Sequence, residues 1–298
     1  MADPGRATEC GDPDDLPLGD DLYYRDVGIS GRSYQLYVPT SYLGNRAVPL
    51  MLDLHPWMGN TAMEERFNGF EEVAEEAGFV LARPQAVTPP GDAGPAWLIY
   101  GNDDVDYVEE VIADAATAVC VDSTRIYAAG MSQGGHFATQ LACRLPGVFA
   151  AVASVGVVDH PVDCVSPPTP IIGFAGRTDS IYRIEEGLDP SVFESASVGA
   201  PPNARPGAFR EEADAWASTN GCRPDPIVTS RGEGVERLAY RCPRRVETLF
   251  FLHSGGHVWP GPWLDPGFAE QLGIGVATDD IDASWTVWRF FRQHRSDP

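Results

Sequence analysis

The run Ile126-Tyr127-Ala128-Ala129-Gly130-Met131-Ser132-Gln133-Gly134-Gly135 drives a β-rich segment into a Gly-x-Ser-x-Gly turn, and a helical pattern from His136 to Cys143 follows at once. Glycine stands two positions to either side of the serine because so tight a turn leaves no room for a Cβ beside the neighbouring strand or helix. Such an elbow lifts the Ser132 hydroxyl clear of its own backbone, above the carboxyl end of a sheet. The N–H of Gln133 then opens a helix, where a developing oxyanion can be held. Strand before and helix after make the five-residue pattern a candidate nucleophile rather than an exposed serine in a glycine-rich turn.

A nucleophilic serine needs a base and a group to orient that base, and in strand–elbow–helix hydrolases the chain order is Ser, acid, His. Thr169 to Gly176 is a short apolar run ended by glycine, a buried-strand pattern, and Asp179 lies just past it. Asp159 and Asp163, in the loop after the preceding strand, are competing positions for the acid. Further on, Thr248 to Leu252 reads as a strand, followed by His253-Ser254-Gly255-Gly256-His257-Val258-Trp259-Pro260-Gly261. The double glycine lets this loop approach the nucleophile, which makes His257 the candidate base. An ordinary imidazole, with a pKa of about 6.5, can take the serine proton and return it to a leaving alkoxide. His253 reads as structural or supporting, and His136, His160 and His294 carry no signal of their own.

The chain is 298 residues long with 43% hydrophobic and 21% charged residues, enough for one large α/β domain with a substantial core. Its net charge of −22, with no lysine at all, argues against nucleic acid or an anionic membrane as partner. No stretch approaches the roughly 18 apolar residues of a membrane span. Residues 1–21 are acidic and rich in Pro and Gly, the composition of a flexible lead-in, with neither the basic nor the apolar part of a signal peptide. Residues 22–298 are expected to form a single domain acting as a monomer. None of the six cysteines lies in a C-x-x-C arrangement, and no metal or cofactor is expected. Cys222 and Cys242 flank a Pro- and Arg-rich excursion before the His257 strand, and a bridge there would close a loop of about 20 residues, worth roughly 3 kcal/mol. Disulfides would place the protein in an oxidising compartment, hence secreted.

Strand patterns recur at 33–38, 48–54, 78–84, 125–129, 150–155, 170–175 and 246–252, with helical patterns at 67–77, 103–120, 208–220 and 280–294. Their alternation predicts a mostly parallel sheet with helices on both faces, preceded by an antiparallel hairpin from 22–29 to 33–38. Residues 189–207 read as a long surface loop. After the 48–54 strand comes His55-Pro56-Trp57-Met58-Gly59-Asn60, where a second oxyanion donor belongs. Pro56 has no N–H to give, so Trp57 is the candidate, beside Gln133. Trp57 and Trp259 are also expected to contact substrate on either side of Ser132. Asn102, Asp104 and Asp106 mimic calcium-loop spacing, but Tyr107 and Ala113 stand where glycine and glutamate are needed, so a helix N-terminus is the better reading.

Taken together, these motifs resemble the secreted poly(3-hydroxybutyrate) depolymerase and feruloyl esterase-like family of α/β-hydrolases. The resemblance runs from about Tyr34 onward. It is carried by Leu54-His55, Asp103-Asp104-Val105, Cys120-Val121-Asp122, the Ser132 elbow, Leu141-Ala142-Cys143, Phe149 to Val152, and Gly176 to Asp179. Trp216 with Asn220-Gly221-Cys222, Gly255 to Gly261, and a last helix holding Trp288 and Phe290-Phe291 complete it. The resemblance implies an α/β-hydrolase fold, Ser132, Asp179 and His257 as triad, and Cys222 paired with Cys242. The family has His-Gly where this chain has His55-Pro56, so its oxyanion loop is expected to differ in shape. The implied activity is a serine esterase working through an acyl-enzyme on polyester or hydroxyalkanoate-type esters, polymeric substrates included. Feruloyl or acetylxylan esters of plant polysaccharide are the alternative, and a triad-bearing binding protein is the non-enzymatic one.

Overall fold

The computed structural model describes residues 16–19, 23–28, 31–89, 91, 94–162, 164–197, 200–201, 203–232, 234–243 and 246–296. Of the lead-in, residues 16–19 are described, with Gly19 N–H donating to Val38 O at 2.9 Å. Its remainder, and Asp163, lie outside the described residues.

In chain order the strands are β1 (Tyr23–Val27), β2 (Arg32–Tyr37), β3 (Val48–Leu54), β4 (Val80–Pro84), β5 (Val121–Met131), β6 (Ala151–Val155), β7 (Ile171–Gly176), β8 (Tyr182–Arg183), β9 (Gly187–Leu188), β10 (Ile227–Arg231), β11 (Val235–Ala239) and β12 (Thr248–His253). The helices are α1 (Thr61–Asn68), α2 (Phe70–Ala77), α3 (Asp103–Ala118), α4 (Gln133–Arg144), α5 (Pro190–Ala196), α6 (Phe209–Thr219), α7 (Pro266–Leu272) and α8 (Ala283–Phe291). Ten strands form one sheet in the order β1-β2-β4-β3-β5-β6-β7-β12-β11-β10. From β4 to β12 the pairings are parallel, while β1–β2–β4 at one end and β12–β11–β10 at the other are antiparallel.

The parallel centre is buried on both faces, and β3 shows how. Leu50, Leu52 and Leu54 point into one core with Val105 and Val108 of α3, Phe137 and Leu141 of α4 and Trp216 of α6. Met51, one residue out of phase, points into the other core with Phe70 and Val73 of α2 and Val287 and Trp288 of α8. Period-two strands thus bury both sets of side chains, each leucine contributing about 2 kcal/mol of transfer free energy.

Three elements depart from the sequence expectation. The 67–77 helix is two helices, parted at Gly69 with φ +57°, where a Cβ would meet the Trp263 ring at 2.3 Å. The 189–207 loop contains α5, started by Asp189, whose carboxylate accepts from Ser191 N–H at 3.0 Å with Pro190 at the first helical position. The Pro- and Arg-rich excursion between Cys222 and Cys242 is the β10–β11 hairpin, which extends the sheet at its edge. Cys222 and Cys242 are bonded to each other, as are Cys143 and Cys164. Asp104 stands in the first turn of α3, buried, pairing with Arg32 and accepting from Leu98 N–H at 2.5 Å.

Candidate active site

Loops leaving the carboxyl ends of β3, β5, β7 and β12 meet above the sheet, the side on which open α/β sheets bind ligands. Ser132 follows β5 directly, with φ +55° and ψ −118°, a strained conformation for a residue with a side chain. The flanking glycines make the turn possible. A Cβ on Gly130 would lie 2.4 Å from the carbonyl carbon of Gly134, and one on Gly134 would lie 2.0 Å from Leu54 O at the end of β3. Helix and strand thus leave no room for a side chain at either flank, which is why the motif reads Gly-x-Ser-x-Gly.

Three expected residues converge here. Asp179, three residues beyond the end of β7, is buried, and its Oδ1 accepts from the N–H groups of Ile181 at 2.7 Å and Tyr182 at 2.8 Å. Its Oδ2 accepts from His257 Nδ1–H at 2.7 Å. A carboxylate only accepts, so the imidazole proton sits on Nδ1 and leaves Nε2 bare. Nε2 then accepts from the Ser132 hydroxyl at 2.8 Å. The loop bearing His257 is fixed by Gly256 N–H to Val276 O at 2.9 Å and His257 N–H to Ile274 O at 2.7 Å. Asp159, the competing acid position, lies elsewhere: it faces His136 Nε2 at 3.1 Å. His253 is buried on β12, where desolvation pushes its imidazole down to about 4.

Ser132 opens onto a cavity of about 410 Å³ whose wall is mostly apolar, including Met63, Phe67, Val157, Ile181, Leu188 and Ile274. Trp57 and Gln133 are both on this wall. Gln133 is the first residue of α4, so its N–H has no intrahelical acceptor and lies beside the serine. Its side chain is committed elsewhere: Oε1 accepts from Trp97 N–H at 2.9 Å, and Nε2 donates to Ala196 O on α5. Trp259 is not on this wall, which corrects the expectation that it contacts substrate. It is 1% exposed, packs edge-to-face on Phe70 at 5.2 Å and donates Nε1–H to Ser284 Oγ at 2.9 Å. Proximity to His257 in sequence left open which way the indole points, and the apolar α2–α8 core claims it.

His55, and Trp97, which the sequence did not single out, shape the Trp57 loop. His55 Nδ1–H donates to Pro56 O at 2.8 Å while Nε2 accepts from Ala86 N–H at 3.0 Å. Burial pushes its imidazole down to about 4, which keeps it in that neutral form. Trp97 is buried, donates Nε1–H to His55 O at 2.8 Å and stacks on Phe137 at 5.0 Å. Pro56 is thus held by its neighbours, and the loop then passes through Met58 at φ +62°.

Residues 32–194, more than half of the chain, match the family model described as esterase PHB depolymerase. The chain belongs to that family. It is 29% identical to feruloyl esterase B of Piromyces equi over 79% of this chain, and spans 44% of that longer protein. NocK of Nocardia uniformis subsp. tsuyamanensis, which bears an esterase name, is 30% identical over 80% of this chain and 74% of its own. Among solved structures, acetyl xylan esterase from Aspergillus awamori superposes with a TM-score of 0.58 over 85% of this chain and 99% of its own, at 14% identity, a likeness of fold. The architecture is the α/β-hydrolase fold expected from the sequence, and the family makes the chain a carboxylic-ester hydrolase.

Proposed function

We propose that Ser132, His257 and Asp179 form the catalytic triad of this esterase. The observation that carries this reading is the unbroken relay of two hydrogen bonds, 2.8 and 2.7 Å, between residues that follow three separate strands. Ser132 Oγ attacks the ester carbonyl as His257 Nε2 takes its proton, and Asp179 steadies the imidazolium that results. The N–H groups of Gln133 and Trp57 hold the oxyanion. His257 then protonates the departing alcohol, and water, activated by the same nitrogen, frees the acyl group from Ser132.

The substrate is an ester with a bulky, largely apolar acyl group, of the hydroxyalkanoate or polyester type. A cavity of about 410 Å³ with an apolar wall favours such a group over acetate. An aromatic acyl group is the second reading, favoured by the partly exposed Trp57 on the cavity wall and by the likeness to feruloyl esterase B. Two disulfide bonds support secretion into an oxidising compartment. Turnover of p-nitrophenyl esters of increasing chain length, polyhydroxybutyrate film and methyl ferulate tests substrate class. Covalent labelling by an organophosphonate, lost in Ser132→Ala, tests the nucleophile; labelling that survives that substitution would overturn the triad.

A further inference from the structure

The imidazole of His136, on the cavity wall, has no part in the proposed triad. His136 lies in the first turn of α4, one helical turn beyond Ser132, and is 2% exposed. Its Nε2 faces Asp159 Oδ2 at 3.1 Å, with Tyr100 Oη and Gln140 Nε2 each at 3.3 Å around the same nitrogen. Asp159 is itself buried, 3% exposed, with Thr139 Oγ1 at 3.4 Å. Protein groups thus surround Nε2, and the other nitrogen, Nδ1, is left to the remaining side of the ring. Among the described residues Nδ1 has no hydrogen-bond partner. Two neighbouring polar groups are committed: both nitrogens of His257 are bonded, and the Gln133 amide holds Trp97 and Ala196.

We propose that His136 is a specificity-determining residue, bonding through Nδ1 to a hydroxyl carried on the acyl group of the substrate. The inference rests on the esterase reading of this cavity and adds what the acyl group must carry. An imidazole nitrogen on an apolar wall becomes costly without a partner once an ester has displaced water from it, and a ligand that supplies one is favoured over an analogue that does not. A hydroxyl fits either charge state of the ring, donating to a bare Nδ1 or accepting from Nδ1–H. The carboxylate behind the ring holds its orientation, so the bonding direction is set before substrate arrives. Two kinds of acyl group carry such a hydroxyl, an aliphatic hydroxyalkanoyl chain and a phenolic cinnamoyl group, and acetate carries none.

The test measures binding of intact esters to Ser132→Ala protein by calorimetry, using two matched pairs: methyl 3-hydroxybutyrate against methyl butyrate, and methyl 4-hydroxycinnamate against methyl cinnamate. The proposal expects the hydroxylated member of one pair to bind about tenfold more tightly, and the pair that shows it names the source. Adding His136→Gln should erase the preference while the fold survives, because a glutamine amide can replace Nε2 toward Asp159 but not Nδ1. Adding His136→Asn, whose amide falls near Nδ1, should retain it. Equal binding within both pairs, or a preference that survives His136→Gln, overturns the proposal. If the preference is present but protein with Ser132 intact turns over none of the four esters, the esterase reading fails and the His136 assignment stands.

Discussion

Replacing Asp179 by asparagine tests the triad more sharply than removing it, because the structure dictates how the amide must sit. Oδ1 accepts two backbone N–H groups, from Ile181 and Tyr182, and only an oxygen can do that. Turning the amide over would set its NH₂ against both donors, forfeiting two buried hydrogen bonds at about 1 kcal/mol each and leaving the donors unpartnered at a further cost. The amide oxygen therefore stays on the backbone and the NH₂ faces His257 Nδ1. Two donors cannot bond, so the imidazole proton moves to Nε2, where it blocks acceptance from Ser132. The base is present, in place and in the wrong tautomer. Such a change typically lowers kcat by about 10⁴, or about 5 kcal/mol at 1.36 kcal/mol per decade. The assay is steady-state hydrolysis of p-nitrophenyl butyrate, with Tm measured on the same samples. A variant that keeps more than about a tenth of wild-type kcat with an unchanged Tm would refute the reasoning.

Three further outcomes follow from the same structure. Ser132→Gly, which relieves the φ +55° backbone, should melt about 2 °C above Ser132→Ala although both are inactive; equal melting temperatures would mean the turn stores no strain. Replacing Cys222 and Cys242 by serine opens a loop of sequence separation 20 and should cost about 3 kcal/mol in urea unfolding, a loss absent if the hairpin holds itself together. His55, held near pKa 4 against an ordinary value of about 6.5, contributes stability that is whole above pH 6.5 and lost as pH falls toward 4. Over that window the wild type should lose on the order of 3 kcal/mol more than His55→Gln; parallel pH profiles for the two proteins would count against a neutral, buried His55.

The elbow was legible in the sequence because its constraint is local: Gly130 and Gly134 meet helix and strand within a few residues of Ser132. The central strands were legible because burial on both faces leaves near-continuous apolar runs. The β10–β11 hairpin was not, since at the sheet edge Ile227 and Val228 are exposed and hydrophobic pattern carries little information there. The start of α5 did have a signal, Asp189-Pro190, a cap and first-turn proline obscured by the Pro- and Ser-rich residues after it. Trp259 and His136 exchanged importance for one reason. Sequence places a side chain on a loop or helix, but only the packing around it decides whether it turns toward the core or the cavity.

The two-ended commitment of Gln133 has a kinetic consequence. Its N–H is the proposed oxyanion donor, while its side-chain amide ties α5, part of the cavity wall, to the start of α4. An acyl group large enough to push α5 outward pulls on the very residue that must meet the developing negative charge. Wall and donor then yield together, so the cavity's size limit is written into turnover as well as affinity. Across a series of lengthening acyl chains, kcat falls at the length where α5 begins to give, even while KM is still improving.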